Sequence, residues 1–478
     1  MSTFDYRKTK IVGTIGPASS SPEMLGKLIR AGLNVARLNF SHGQVNEHRA
    51  MVDLIRGISQ EVGYDVGILQ DLSGPKIRLG NIRERVLSAG ATVRLAPGTE
   101  ETDEAIPVNY QYILEDVAVG DLVLLFDGKL SVRVKDKDER ALVCEVVTGG
   151  PLSSHKGVNL PNSNLRIPAF TEKDRADLTL GLEAGVDFVA MSFVRSAQDL
   201  VPVREMIARS SRPPLLIAKI EKPQAVAAID EILDVVDGIM VARGDLGVEM
   251  PIEEVPVIQK KLIRAARNRG RLVITATQML GSMVSNPLPS RAEVTDVANA
   301  ILDGTDAVML SEETAVGQYP VKAVRMLDKV ARQTEPILDN RAFIHKDQCP
   351  LIHPVAGAIT RAVALLAADL KSKAIVAASQ SGSTVRLVAH LRQPVPVVGL
   401  TSNTSTYRQF TLSWGVIPAL IQPCESLVLL EQLASEWLVR NGIASKGDRV
   451  FLTCGMPLQI SGATNLIKLM DIGESAGQ

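Results

Sequence analysis

Short apolar, β-branched runs recur along the chain, and each is followed by a segment in which apolar residues return every three or four positions. That alternation predicts a strand followed by a helix. Eight such runs occur, at 10–16, 35–41, 66–72, 188–194, 215–221, 238–244, 272–278 and 307–314. Eight strands alternating with helices predict the α/β class and a closed (β/α)₈ TIM barrel. Three runs share a pattern: GVDFVAMSF ends at Phe193, VVDGIMVAR at Arg243 and GTDAVMLSE at Glu312. They are strands four, six and eight, and alternate strands of such a barrel fill the same interior layers.

The rhythm breaks after residue 72 and resumes with a helix near Thr171. Between them, short alternating runs at 92–95, 121–126, 131–134 and 142–147 are separated by turn pairs such as Pro97-Gly98, Asp127-Gly128 and Gly149-Gly150. This pattern predicts an inserted all-β domain over 74–168, hung from a barrel loop by roots near Pro75 and Pro168. A lid is the natural reading. The barrel then comprises 1–73 and 169–338, ending in a helix over 321–333. A polar stretch, 339–350, reads as a linker into a third domain, 339–478. Helices at 353–370 and 426–441 and strands at 373–378, 395–401, 415–420 and 449–453 predict an open α/β sheet whose strand order the pattern leaves undetermined.

Composition narrows the function. The 478 residues hold 52 Lys+Arg against 53 Asp+Glu, for a formal net charge of -1, and the basic residues are dispersed. No stripe suited to nucleic acid stands out. Neither a secretory leader nor an apolar stretch of spanning length is visible, so a cytoplasmic protein without a membrane segment is expected. Cys144, Cys349, Cys424 and Cys454 form no C-x-x-C pair and read as reduced thiols rather than zinc ligands.

In a (β/α)₈ barrel the active site lies at the C-terminal strand ends, so the side chains there identify the chemistry. They are strongly polar: Arg37, Asn39, Ser41 and His42 after strand two, Asp71 after three, Lys219 and Glu221 at five, Arg243 and Asp245 at six, Thr275 and Thr277 at seven, and Ser311, Glu312 and Glu313 at eight. Lys219 and Glu221, two apart on a strand, point the same way. A buried ion pair would explain Lys219 but leave Asp245 without purpose. Glu221 and Asp245 together form a hard oxygen pair suited to Mg²⁺ or Mn²⁺. Two cations beside such a metal, Arg37 and Lys219, describe a site for a phosphoryl group in transfer. The chain nevertheless lacks a G-x-x-x-x-G-K-[ST] loop and the protein-kinase loop set. None of its six histidines pairs with another at metal-ligand spacing.

These residues stand in segments that resemble the pyruvate kinases. The resemblance runs nearly end to end: ARLNFSHG from Ala36, GPKIRLG from Gly74, HKGVNLP from His155, KIEKPQAV from Lys219, IMVARGDLG from Ile239, TATQML from Thr275, the long segment NPLPSRAEVTDVANAILDGTDAVMLSEETAVGQYP from Asn286, and ASQSGST from Ala378. It implies phosphoryl transfer from phosphoenolpyruvate to ADP, followed by protonation of enolpyruvate. By resemblance, Glu221 and Asp245 bind the divalent metal, and Arg37 and Lys219 stabilise the moving phosphoryl group. Backbone groups at Arg243, Gly244 and Asp245 meet the substrate carboxylate, with Thr277 and Ser311 near the route of the proton, which a water relay would serve equally well. Asn39, His42, Arg78 and Lys156 face the nucleotide, and the inserted domain closes over it.

The resemblance further implies a monovalent-cation site at Asn39, Ser41, Asp71 and the carbonyl of Leu72. Many members read GPEIR where this chain has Gly74-Pro75-Lys76-Ile77-Arg78. The Lys76 ammonium is expected to supply the charge otherwise given by K⁺; the alternative is an exposed lysine at a hinge. Relatives often carry two acids where this chain has Phe126-Asp127, which leaves Asp127 without an assigned lid role. In the third domain, Ser379, Ser381, Gly382, Ser383 and Thr384 form a turn between strand and helix, read either as an N-cap turn or as a phosphate site. The family's phosphorylated effectors favour the second, and a homotetramer is expected by resemblance. Two rivals remain: a metal-dependent barrel lyase acting on a 2-oxo acid, and a sugar-phosphate sensor built on a decayed enzyme. The lyase needs neither lid nor Lys219, and decay would have removed some of Arg37, Lys219, Glu221, Asp245 or Thr277.

Overall fold

The computed structural model describes residues 6–161, 163, 165–339, 343, 354–458 and 464–473. Eight parallel strands close into a barrel: Lys10–Thr14, Val35–Asn39, Gly67–Asp71, Phe188–Met191, Leu215–Ile220, Gly238–Ala242, Leu272–Ala276 and Ala307–Leu310. Each lies inside a run predicted from the pattern, and the strands follow chain order around the barrel. Both faces of these strands are buried, which is why their sequences are continuous apolar runs rather than alternating ones. Val12, Leu69, Phe188, Ile217, Met240 and Met309 pack against one another in the interior, while their strand neighbours pack against the helices outside. Leu412, from the C-terminal domain, joins the interior cluster.

Local signals set the helix ends. Thr171 caps Glu172–Ala184 through a capping box with Asp174, and Gly185 closes that helix at φ 73°. Ser290 and Glu293 form the same box on Arg291–Asp303, which Gly304 ends at φ 98°.

The insertion between the third and fourth barrel strands forms a six-stranded sheet ordered Val158–Asn159, Leu122–Leu125, Leu130–Lys137, Leu142–Thr148, Thr92–Pro97 and Ile106–Val108. A two-stranded ribbon, Arg85–Leu87 with Gly150–Leu152, lies beside it. The inserted domain is built on β-sheet as expected, with one four-residue helix, Ile113–Asp116, standing within it. Its Ile113 and the neighbouring Val117 complete the domain's own apolar core.

The C-terminal sheet runs Val416–Leu420, Val397–Thr401, Ile375–Ala378, Arg449–Gly455, Thr464–Asp471. The last strand, antiparallel to its neighbour, was not predicted: it is an edge strand in which Asn465 and Leu469 are exposed and Leu466, Ile467 and Lys468 half-buried, so its apolar residues do not alternate with polar ones. The linker read over 339–350 lies outside the described residues except for Asp339 and Phe343, and so does Cys349. This domain sits under the barrel: Tyr6 donates to the Gly415 carbonyl (2.7 Å) and Lys10 to that of Val416 (2.8 Å). Among the described residues no helix is long and apolar enough to cross a membrane.

Candidate active site

The polar strand ends converge at the barrel mouth beneath the lid. Asp71, 1% exposed, is the hub. Its Oδ2 accepts from Arg37 Nε (2.7 Å), and its Oδ1 lies 3.4 Å from Lys219 Nζ. Burial alone would raise the Asp71 carboxyl, but Lys219 and Arg37 together hold it below its ordinary range. Arg37 also donates to Thr14 Oγ1 (2.8 Å), at the end of the first strand.

Lys219 lies 2.7 Å from Glu221 Oε1 and donates to Ser192 Oγ, also at 2.7 Å. Burial works against its charge, yet Asp71, Glu221 and Asp245 outweigh burial and raise the ammonium's pKa above its ordinary value. Lys219 is therefore a fixed cation. Glu221 is held from its other side, where Oε2 accepts from the Phe193 amide at 2.8 Å. Phe193 sits at φ 57° and Thr277 at φ 63°, a left-handed conformation costing a non-glycine residue about 1–3 kcal/mol, of the kind found where a fold must aim a functional group.

Asp245 lies in the first turn of the short helix Arg243–Glu249 and lines the cleft. The enclosing walls and the charge of Glu221 push its carboxyl up to about 7. Two crowded carboxylates with this excess of negative charge suit a hard divalent cation, which fits the oxygen pair read from the sequence. The Gly244 amide donates to Thr277 Oγ1 (2.7 Å), whose own proton goes to the Ala276 carbonyl (2.7 Å). The Arg243 side chain turns away from the mouth, reaching Asp296 at 2.6 Å and the Thr277 carbonyl at 2.8 Å. Only its backbone remains available toward a substrate. Ser311 lies at the end of strand eight, its amide held by Glu313 (2.7 Å).

A cleft of about 290 Å³ separates lid and barrel, lined by Lys76, Arg78 and Asp127 from the lid side and by Glu221, Lys222 and Asp245 from the barrel. Lys76 is half-buried there; burial, then Arg78, Lys219 and Lys173, lower its pKa, while Asp71 acts in the opposite sense. Arg78 donates to the His155 carbonyl (3.0 Å), and Lys156 lies 4.2 Å from the Phe126 ring centre. His42 is exposed, its pKa lowered by partial burial and by Lys76, Arg78 and Arg37. Of the residues read as a monovalent site, Asn39 Oδ1 accepts from the Ser41 amide (3.1 Å), and the Leu72 carbonyl accepts from Ser192 (2.7 Å).

In the C-terminal domain, Gly382 at φ 77° caps the helix Ser383–His390. That φ strains any residue with a side chain, and a Cβ there would also stand 2.9 Å from the Phe410 ring, so the turn favours glycine. Ser381 and Ser383 hydroxyls meet at 3.1 Å, and Ser379 lies at the strand end. Thr384 instead points inward, its hydroxyl 2.6 Å from that of Thr464. Arg386 donates to the Ser381 carbonyl (3.1 Å), and its buried Nη1 has no partner among the described residues.

Sequence reasoning missed Thr14, Ser192 and Arg386. The first two are polar residues at the ends of strands one and four, which the same strand-end criterion finds once applied to all eight strands. Arg386 lies one helical turn past the serine-rich turn, where the period brings it back over that turn.

Residues 6–324 match the family described as pyruvate kinase, barrel domain, and residues 357–470 match pyruvate kinase, alpha/beta domain. Proteins named pyruvate kinase from Sporosarcina psychrophila and Geobacillus stearothermophilus are each 45% identical over 474 residues, covering 98% of this chain and 81% of theirs. A crystal structure of a pyruvate kinase from Cryptosporidium parvum superposes with a TM-score of 0.92 at 34% identity, covering 98% of this chain and 96% of that one. Nothing in these likenesses supports a lyase. The chain therefore belongs to the pyruvate kinase family, phosphotransferases that convert phosphoenolpyruvate and ADP to pyruvate and ATP.

Proposed function

We propose that the transfer takes place at the barrel mouth, where Lys219 stands between Asp71 and Glu221 with Arg37 alongside. The observation that carries this reading is the Lys219 contact set: an ammonium held at 2.7 Å by Glu221 and 2.7 Å by Ser192, its charge secured by three carboxylates. In the reaction the bond between phosphorus and the enol oxygen breaks, and a bond to the terminal phosphate oxygen of ADP forms. Enolpyruvate then gains a proton at its methylene carbon. Arg37 and Lys219 hold the phosphoryl group as charge spreads over its oxygens.

Glu221 and Asp245 would hold Mg²⁺ or Mn²⁺, supplying charge neutralisation and a template for the substrate oxygens. The backbone at the start of the helix Arg243–Glu249 faces the substrate carboxylate, with the Gly244 amide itself taken by Thr277. Thr277, its proton engaged by Ala276, fixes the Gly244 amide, while Ser311 flanks the proton's route. Asn39, His42, Arg78 and Lys156 take the nucleotide, and closing the lid keeps water from intercepting the transfer.

Lys76 replaces K⁺. It is half-buried in the cleft within reach of the Asp71 field, where Asn39, Ser41 and Leu72 complete the cation site in relatives. The turn at Ser379, Ser381, Gly382 and Ser383, with the unpartnered Arg386 Nη1 behind it, binds a phosphorylated effector; Thr384 supports the turn from within. The active assembly is a cytoplasmic homotetramer. The test is pyruvate formation from phosphoenolpyruvate and ADP with Mg²⁺ in buffer free of K⁺ and NH₄⁺, then with KCl added. Full activity before KCl supports the reaction and the role of Lys76; activity only after KCl removes the role of Lys76; no activity in either, even with candidate sugar phosphates and nucleotides present, removes the reading.

A further inference from the structure

We infer that Ser192 is a positioning residue for the reaction, setting the direction of the Lys219 ammonium and tying it to the backbone of strand three. The inference rests on the placement of Lys219 in the transfer step.

Ser192 ends the fourth barrel strand and is 3% exposed. Its hydroxyl lies 2.7 Å from the Leu72 carbonyl and 2.7 Å from Lys219 Nζ. A carbonyl only accepts and an ammonium only donates, so the single hydroxyl proton goes to Leu72 and a lone pair faces Lys219. The other acceptor within reach of that proton, Asp71 Oδ1, is farther off at 3.4 Å.

Lys219 has three N–H groups and three protein partners: Ser192 and Glu221 at 2.7 Å, and Asp71 at 3.4 Å. A phosphoryl oxygen entering the mouth needs one of those protons. The Asp71 contact is the long one and is given up first, while the two short contacts keep the ammonium aimed. The next residue acts on the same group, since the Phe193 amide holds Glu221. One dipeptide, with Phe193 in a left-handed conformation, therefore positions both the cation and the carboxylate beside it. Through Leu72, Ser192 also joins Lys219 to the carbonyl at which strand three gives way to the lid root.

The test compares Ser192→Ala, Ser192→Thr and Ser192→Cys, alone and with Lys219→Met, by steady-state kinetics on the full chain with Mg²⁺. Removing the hydroxyl is expected to lower kcat about 10- to 100-fold with KM for phosphoenolpyruvate changed less than about threefold. Threonine, which keeps the hydroxyl, restores turnover to within about fivefold, while cysteine, similar in size but a weak acceptor, behaves like alanine with an unchanged melting temperature. In the Lys219→Met background the alanine substitution changes the residual turnover less than about twofold, because the group it positions is gone. Unchanged kcat in Ser192→Ala, or an equal loss with and without Lys219, overturns the inference. Full turnover in Lys219→Met alone overturns the underlying role of Lys219 instead.

Discussion

The guanidinium of Arg392 lies 2.7 Å from Asp306 Oδ1, with both side chains buried between the barrel and the C-terminal domain. Its other arm donates to the Gly304 carbonyl (2.5 Å), and the ring of Trp414 lies 5.1 Å away. Asp306 in turn accepts from the Val273 amide (2.9 Å), so one carboxylate joins strands seven and eight to the domain below. Removing one partner of such a pair leaves an uncompensated buried charge. Arg392→Met is expected to cost about 3–5 kcal/mol, read from urea denaturation, and adding Asp306→Asn should recover part of it. An equal loss in the single and double variants would show that packing, not charge, holds the interface.

Lys219→Met should leave the chain folded, with Arg37 still paired to Asp71, while kcat falls by about 10²- to 10³-fold, the usual cost of deleting a group that stabilises transition-state charge. Mn²⁺ titration monitored by relaxation checks that the variant's affinity for the ion matches that of the parent. Unchanged turnover would refute the role of Lys219.

Lys76→Glu reverses the charge at the lid root. The variant should lose most activity in K⁺-free buffer and regain it with KCl, whereas the parent responds little to the salt. A parent that needs KCl would return Lys76 to the role of a hinge lysine.

Lys10 carries a prediction about pH. It is buried at the base of strand one, donating to Val416, and burial, with Arg7 adding its charge, pushes its pKa down to about 7 against the pull of Glu335 and Asp306. In the unfolded chain a lysine titrates near about 10.4. Between those values the unfolded state binds a proton that the folded state lacks, so stability rises with pH across that window, by at most ~1.4 kcal/mol per pH unit. Thermal or urea denaturation from pH 7 to 9 should show this rise, and Lys10→Met should flatten it. A slope identical in the two proteins would place the titration elsewhere.

The barrel was legible in the sequence because strands buried on both faces must be continuous apolar runs, and eight of them leave few other architectures. The polar groups of the candidate site were legible for a related reason: core packing does not select Arg37, Lys219, Glu221 and Asp245 at strand ends, and the barrel's topology sends those ends to one mouth. The turn at Asp127-Gly128 and the helix start near Thr171 were legible because turn and breaker residues mark them locally, while the capping boxes at Thr171 and Ser290 came only with the structure.

Other features depend on which surfaces meet. The edge strand Thr464–Asp471 and the order of the C-terminal sheet are set by pairing between distant segments, which a local period does not encode. The same holds for the outward turn of Arg243 to Asp296, the inward turn of Thr384 to Thr464, and the seat of Ser192 between Leu72 and Lys219. Sequence by itself determined the class of fold and the kinds of groups at its mouth, since both follow from burial and periodicity along one segment at a time. Which hydroxyl, amide or carboxylate holds which cation was decided only by the tertiary structure, because a hydrogen bond depends on distances of a few tenths of an ångström between residues far apart in the chain.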